Sequence, residues 1–540
     1  MGKLSKRVTT LEELTRELKA AIESGFNHLM AITCVDLGGE LELIYSLSSL
    51  DGRPLHLSLK VPQGSAKVSS IAALMPAASF YEREVHDLFG VHFEGNEGMG
   101  SRFLLPQCYP EEAPPPLLKS VDSAQVRELL STLRCASPLP IHLEAPLSPE
   151  SVVVPFGPYH PALKEPEHIS LVVEGERIRK AFIKIGYVHR GIEKAAEARS
   201  FLRDIYLFER VCGICSTHHA WTFVEAVESL LGLQPPPRAV FLRAIVAELE
   251  RIHSHALWLG LVGYWMGFES MFMWVWGLRE LVMDILEEAT GNRVHKSFVT
   301  IGGVRRDIPD EKLRGYVEKL SQLRSSIASL MEDILSSEQF ASRTKGVGRY
   351  TLEQARRFSA VGPVRRAAGD PYDIRKIEPY GAYDRVDFHV PVASEGDVYN
   401  LVKIRLEELL SSVDIIAQLV EKIPSGNPVP PRHFMGTVPE GEAYARTEAP
   451  RGELFYYVKA DNKHNPYRVK IRTPTLANIQ LAASLLEGAL VSDLPLIVTS
   501  IDPCFSCMDR VTVLKDGEFF VLKLEDLVKL ARGGRSECVH

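Results

Sequence analysis

At 540 residues, with 45% apolar and 24% charged side chains, the chain has the make-up of an ordinary globular protein with room for about three domains. A net charge of −7 at pH 7 argues against nucleic acid or an anionic membrane surface as a partner. The longest apolar stretch free of Asp, Glu, Lys and Arg, Ile252 to Phe268, holds two histidines and falls short of the about 20 residues a bilayer needs; it is expected to be a buried core helix, with membrane association only through a partner.

The N-terminus, MGKLSKRVTTLEELTRELKAAIE, has no apolar signal core and reads as a capped amphipathic helix. Strands are expected at Leu29–Val35, Leu41–Leu47 and Leu55–Val61, the last alternating Leu55, Leu57, Leu59 and Val61 on one face. Gly38-Gly39 and Asp51-Gly52 separate these runs as hairpin turns would. Residues 1–105 therefore form a first, α+β domain. A proline-rich linker, PQCYPEEAPPPLL at its core, spans 106–150, because consecutive prolines continue neither a helix nor a central strand. Beyond 151 the pattern is mainly helical. Apolar stripes run Phe241–Ile245–Leu249–Ile252–Ala256–Leu259, Leu313–Val317–Leu320–Leu323–Ile327–Leu330–Ile334 and Val398–Val402–Leu406–Leu409–Val413–Ile416–Val420. They predict a helical bundle with small peripheral β elements, and the plain reading of each stripe is core packing.

Of eight cysteines, Cys34, Cys108, Cys135 and Cys538 stand alone, the first three reading as small buried apolar residues. The other four form two C-x-x-C pairs, RVCGIC at 210–215 and DPCFSC at 502–507. Each pair grips one metal ion, and four soft thiolates suit zinc, iron–sulfur clusters or a nickel or iron centre. A zinc ribbon sets its pairs about 15–20 residues apart. Here 288 residues lie between Cys215 and Cys504, so the two ends of the helical domain would close one internal centre.

RVCGICSTHH (210–219) and DPCFSCMDR (502–510) resemble the two metal-binding signatures of nickel–iron hydrogenase large subunits. HRGIE (189–193) is similar to that family's Arg-Gly-x-Glu element, and EAPRGELFYY (448–457) to its Ala-Pro-Arg-Gly element. GPYHPALKEPEH (157–168), ERIHSHALWLG (250–260) and GNRVHKSFVTIGGVRRD (291–307) resemble the quinone-site core subunit of respiratory complex I. YEREVHDLFGVHFEG (81–95) resembles its small peripheral-arm companion. Together these resemble the fused large subunit of group 4, membrane-bound, energy-converting hydrogenases of the formate hydrogenlyase type, which keep the four cysteines that the complex I core subunit lacks.

The resemblance implies the following roles. Cys212 and Cys504 are terminal nickel ligands; Cys215 and Cys507 bridge nickel to an iron that carries cyanide and carbon monoxide. Arg451 holds its guanidinium over the open site, with Pro450 and Asp502 shaping its surroundings. Ser500 donates to an iron-bound cyanide, or is a plain helix-cap serine. His219 hydrogen-bonds the Cys215 sulfur. Glu165 is the first carboxylate of a proton relay, with Glu167 its close competitor. Glu193 is a buried carboxylate for magnesium in this family, but Arg510 stands where the family has histidine; that argues against magnesium and leaves Glu193 either a second-metal ligand or an ion-pair partner of Arg510.

No cysteine cluster remains for iron–sulfur centres, so electrons pass to a separate iron–sulfur small subunit. Membrane ion-translocating subunits hold the chain at the cytoplasmic side of the membrane. Nickel-insertion proteins and a maturation endopeptidase act on it, the latter removing a tail, residues 511–540, with a hairpin at Asp516-Gly517 and a helix near Leu524–Leu530. Two other readings stay open: a complex I-like subunit acting near a quinone, which His255 and residues 291–307 favour, and a zinc-bearing scaffold.

Overall fold

A computed structural model describes residues 2–64, 66–133, 148–158, 160, 165–431, 434–504, 512–515 and 518–521. The three strands expected near the N-terminus form an antiparallel meander of His28–Asp36, Glu40–Ser48 and Pro54–Pro62, each one residue longer at both ends than the pattern predicts. A short strand, Arg7–Val8, adds in parallel to the outer edge of Pro54–Pro62. The opening helix, Leu14–Glu23, buries Leu14, Leu18 and Ala21. It lacks the expected side-chain cap: Thr10 Oγ1 donates to the Glu13 carboxylate at 3.1 Å rather than to the helix.

Alternation along Pro54–Pro62 predicts one wet face, yet His56 and Ser58 are as buried as Leu57 and Leu59. The reason is a second sheet lying on the first. Gly2–Lys3, Gly441–Ala449, Gly452–Ala460 and Arg468–Arg472 form it in that order, so the start of the chain is an edge strand beside its last third. Met30, Ala31, Val35 and Ile44 of the first sheet pack against Tyr444, Phe455 and Tyr457 of the second.

The proline-rich segment is packed, not loose. Leu117 N donates to the Leu88 carbonyl and Lys119 N to Asp36 Oδ2, and the helix Ser123–Thr132, capped by Asp122, follows. Cys108, expected to be a lone thiol, is disulfide-bonded. Cys135 and Cys538 also lie outside them.

The mainly helical region opens with a three-stranded antiparallel sheet of Ser151–Phe156, His168–Glu174 and Arg177–Lys184. Its helices follow the predicted stripes: Pro237–Trp265, Asp310–Ser336 and Val398–Lys422, joined by Glu269–Thr290. Ile252, Leu259, Val282, Leu323, Ile327 and Leu409 meet where these four helices face one another. The stretch beginning at Ile252 is buried as expected only as far as Gly263; Tyr264 and Phe268 are about half exposed. Among the described residues no helix is long and apolar enough to cross a membrane.

Candidate metal centre

The first cysteine pair lies in the turn between helices Phe201–Glu209 and Ser216–Leu231. Arg190, from the HRGIE segment, holds that turn: its Nη2 donates to the Val211 carbonyl at 3.0 Å and its Nη1 to the Arg210 carbonyl. Cys215 occupies the N-cap position of the second helix but makes no capping hydrogen bond, so its sulfur is not spent on the backbone. The second pair follows the helix Leu494–Ser500. Asp502, at φ 53°, turns the chain through the left-handed region, which aspartate tolerates better than most residues. Cys504 N then donates to Thr475 Oγ1 at 3.0 Å.

These turns bring together sulfurs from opposite ends of the domain. Cys212 Sγ and Cys504 Sγ are 3.2 Å apart, and Cys215 packs with them, all three thiols buried. A hydrogen bond with Cys212, burial and the neighbouring sulfurs push the Cys215 thiol well above its ordinary range. Cys507 and Arg510 lie outside the described residues.

Arg451 reaches this cluster from a tight hairpin. Ala449 pairs with Gly452, so Pro450 and Arg451 are the two turn residues, and proline pre-sets the turn. Gly452 has φ 124°, and a Cβ there would sit 2.6 Å from the Gly362 nitrogen; only glycine lets the hairpin tip seat this deeply. Arg451 Nε donates to the Asp502 carbonyl at 2.8 Å and Nη2 to Asp502 Oδ1 at 3.0 Å. Burial alone would lower the guanidinium's pKa, but Asp502 and the three cysteine sulfurs outweigh it and hold it well above its usual value. Asp502 Oδ2 in turn accepts from Arg405 Nη1 at 3.1 Å.

Other expected residues behave differently. His219 Nδ1 is hydrogen-bonded to the Tyr456 hydroxyl at 2.7 Å, while its buried Nε2 has no hydrogen-bond partner; the expected bond to the Cys215 sulfur is not formed. Burial brings its pKa down to about 4. Ser500 Oγ donates to the Ile497 carbonyl at 2.7 Å, the back-bond of a helix-end serine. Both Glu193 oxygens are engaged, Oε2 by Arg468 Nη1 at 2.7 Å and Oε1 by the Ile471 N–H at 3.0 Å, with Lys470 Nζ at 3.6 Å from Oε1. Arg468 and Lys470 are the cations that the described residues place against this carboxylate; the expected partner, Arg510, lies outside them. Glu165 Oε1 is 4.0 Å from Cys504 Sγ. Glu167 is fully buried with neither oxygen hydrogen-bonded; burial, and then the Glu165 charge, raise its pKa well above the carboxylate range. His255 is fully buried, with Nε2 at 2.7 Å from Glu408 Oε2 and Nδ1 at 3.3 Å from Arg405 Nη1, so it braces the arginine that grips Asp502.

The donor set suits a soft metal ion. Three buried thiols in mutual contact ionise together only around a cation, and the unpartnered His219 Nε2 is an orphaned buried polar atom at the same site. Among the described residues no three or more His, Cys, Asp or Glu side chains form a metal-ligand group by themselves, and the fourth thiol, Cys507, lies beyond them. Arg190, Tyr456, Arg405 and Thr475 received no role from sequence reasoning. Arg190 and Tyr456 fall inside the two recognised motifs; Arg405 and Thr475 carry no signal in one sequence.

Three family models match the chain: the respiratory-chain NADH dehydrogenase 30 Kd subunit over residues 6–126, the 49 Kd subunit over 266–435 and 431–510, and nickel-dependent hydrogenase over 190–260. The chain is 39% identical over 395 residues to a membrane-bound hydrogenase subunit alpha of Pyrococcus furiosus, covering 70% of this chain and 92% of that one. It is 35% identical over 490 residues to formate hydrogenlyase subunit 5 of Escherichia coli, covering 88% and 83%. A solved structure of the membrane-bound sulfane sulfur reductase, an archaeal respiratory membrane complex, superposes with a TM-score of 0.64 at 34% identity, covering 68% of this chain and all of that one. The chain therefore belongs to the family that unites the large subunits of group 4 membrane-bound hydrogenases with the fused 30 and 49 kDa-type subunits of complex I.

Proposed function

We propose that the chain is the catalytic large subunit of a membrane-associated nickel–iron hydrogenase that interconverts dihydrogen with protons and electrons, coupled to ion translocation. The observation that carries this reading is the convergence of Cys212, Cys215 and Cys504 beneath the Arg451–Asp502 pair. Cys212, Cys215, Cys504 and Cys507 would hold nickel and iron, the iron carrying cyanide and carbon monoxide; when bound, this centre supplies the two-electron chemistry of dihydrogen. The protein's own part is electrostatics and proton handling. Arg451 places a fixed positive charge beside the sulfurs, oriented by Asp502, which stabilises charge developing at the site. Arginine is a poor base, so its role is positioning rather than proton transfer. A proton on Cys504 Sγ has Glu165 Oε1 as its acceptor 4.0 Å away, a gap that a small movement or one water closes. Glu167, fully buried and with its pKa raised well above the carboxylate range by burial, is the next carboxyl along this segment.

In this reading electrons leave to an iron–sulfur small subunit, membrane ion-translocating subunits hold the chain at the cytoplasmic face, and nickel-insertion proteins and an endopeptidase mature it. The alternative is a complex I-like oxidoreductase subunit without hydrogenase activity, favoured by the two NADH dehydrogenase family matches. Infrared spectroscopy of the purified complex, with nickel and iron analysis, separates them. Cyanide and carbon monoxide bands with both metals support the hydrogenase; zinc alone, or no metal, overturns it.

A further inference from the structure

Two segments that sequence reasoning set apart, ERIHSHALWLG and GNRVHKSFVTIGGVRRD, meet at the start of the cysteine-bearing helix. Helix Ser216–Leu231 begins beside Cys215, which makes no capping bond. A helix start leaves its first backbone N–H groups without intrahelical partners, and inside a protein these need acceptors.

The acceptor is a carboxylate from the neighbouring helix Pro237–Trp265. Glu250 Oε1 accepts from the Thr217 N–H at 2.9 Å, and Oε2 from the His218 N–H at 3.2 Å. The Ser216 hydroxyl lies 3.1 Å from Oε1, and His218 Nδ1 lies 2.7 Å from Oε2. A fully buried carboxylate is costly unless paired, and the pairing cation is Lys296, whose Nζ is 2.8 Å from Oε1. The strap that carries Lys296 is tied to the same helix start through Val294, whose carbonyl accepts from the Ser216 hydroxyl at 2.8 Å. Burial alone would raise the Glu250 pKa, yet Lys296 and His218 hold it well below the carboxylate range.

A serine or aspartate at position 215 would cap this helix itself. A metal-ligating cysteine does not.

We propose that Glu250, braced by Lys296, is the positioning residue of the first cysteine pair: it supplies from a neighbouring helix the cap that Cys215 forgoes, leaving the Cys215 sulfur to face the cluster. The geometric part stands on the hydrogen bonds alone; only the metal readout below rests on the proposed hydrogenase centre.

The test compares the native full-length chain with Glu250→Gln and Lys296→Met, prepared free of metal and treated with iodoacetamide. Glutamine keeps the size of the side chain but turns a donor group toward backbone donors. Alkylation of Cys212 and Cys215 is expected to quicken about tenfold in Glu250→Gln, the scale of a lost helix cap, and less in Lys296→Met. Cys34, buried in the first sheet, reports on the rest of the fold and is expected to react at its native rate. Nickel in the purified complex is expected to fall in the same order. Native alkylation rates at Cys212 and Cys215 in both variants overturn the proposal, as does an equal rise at Cys34. If Glu250→Gln does not fold, Lys296→Met carries the same comparison. A native complex without nickel overturns the hydrogenase reading and leaves the thiol comparison intact.

Discussion

Arg451 grips Asp502 twice, Nε on its backbone carbonyl at 2.8 Å and Nη2 on its carboxylate at 3.0 Å, and so ties the hairpin tip at 450–451 to the residue two before Cys504. The arginine's charge and the segment leading into the second cysteine pair are one unit. Arg451→Lys keeps a cation but loses the planar fork that makes both bonds. Turnover is expected to fall on the order of 100-fold, the cost of removing one oriented stabilising group, while nickel content and infrared bands stay near native. Dihydrogen evolution from an artificial electron donor measures this; a variant that also loses nickel would mean that Arg451 holds the Asp502–Cys504 segment more than it serves the reaction.

Cys212→Ala and Cys504→Ala each remove a sulfur from the pair separated by 3.2 Å. Both are expected to abolish dihydrogen turnover and nickel retention together. Metal analysis beside the rate assay checks it, and normal nickel with normal activity in Cys504→Ala would end the assignment of that sulfur as a ligand.

The helices were legible because three-and-four spacing reports burial directly, as Leu320, Leu323 and Ile327 illustrate. The second sheet was not. Its strand Arg468–Arg472 reads RVKIR, which by pattern is an edge strand with one charged, wet face. In the fold Arg468, Lys470 and Arg472 are all buried, meeting Glu193, Glu84 and Glu453 respectively. Periodicity cannot distinguish a solvated cation from one paired across a domain contact, because the partner lies up to 386 residues away, as between Lys470 and Glu84. At the centre, the spacing of the cysteines carried the assignment. The supports of the centre, Arg190 on the Val211 carbonyl and Thr475 on Cys504 N, came only from geometry.

The contact between the two sheets carries a pH dependence. His28 sits between Glu453 and Arg365, and burial brings its pKa from 6.5 down to about 4. Below its ordinary value the unfolded chain therefore binds a proton that the folded chain refuses. The stability contributed by neutral His28 is whole above about pH 6.5 and is lost as pH falls toward 4. His28→Gln, which does not titrate, is expected to lose less stability than the native chain between pH 6.5 and 4. Thermal melts of both across that window measure the difference, and parallel curves would show that His28 is not the group responsible.

The tail has one described element, an antiparallel pair of strands at Thr512–Lys515 and Glu518–Val521, with Lys515 opposite Glu518; Asp516 and Gly517, where a hairpin turn is expected, lie outside the described residues. The helix expected near Leu524–Leu530 lies outside the described residues. A dedicated endopeptidase is expected to cut after Arg510 once the metals are in place, so that the Cys504–Cys507 segment closes over the centre and metal binding completes folding. Intact mass spectrometry of the large subunit from an active complex decides it: a chain still ending at His540 means that the tail is a permanent element.

Glu165 and Glu167 compete for the first step of proton exit, and their surroundings separate them. Glu165 is partly exposed and lies 4.0 Å from Cys504 Sγ. Glu167 is fully buried, has no hydrogen bond on either oxygen, and keeps its proton well above the carboxylate range. The contact with Cys504 Sγ favours Glu165 as acceptor, and burial, which raises the Glu167 pKa, makes Glu167 the costlier of the two to ionise. Glutamine matches the shape of either carboxyl and cannot relay. Glu165→Gln is therefore expected to slow both turnover and proton–deuterium exchange on the order of 100-fold or more, with nickel, iron and the infrared bands unchanged. Glu167→Gln, which leaves the Glu165–Cys504 contact in place, is expected to lose less. Exchange measured by mass spectrometry on the loaded complex gives the ranking, and a fully active Glu165→Gln beside an inactive Glu167→Gln would move the first acceptor to Glu167.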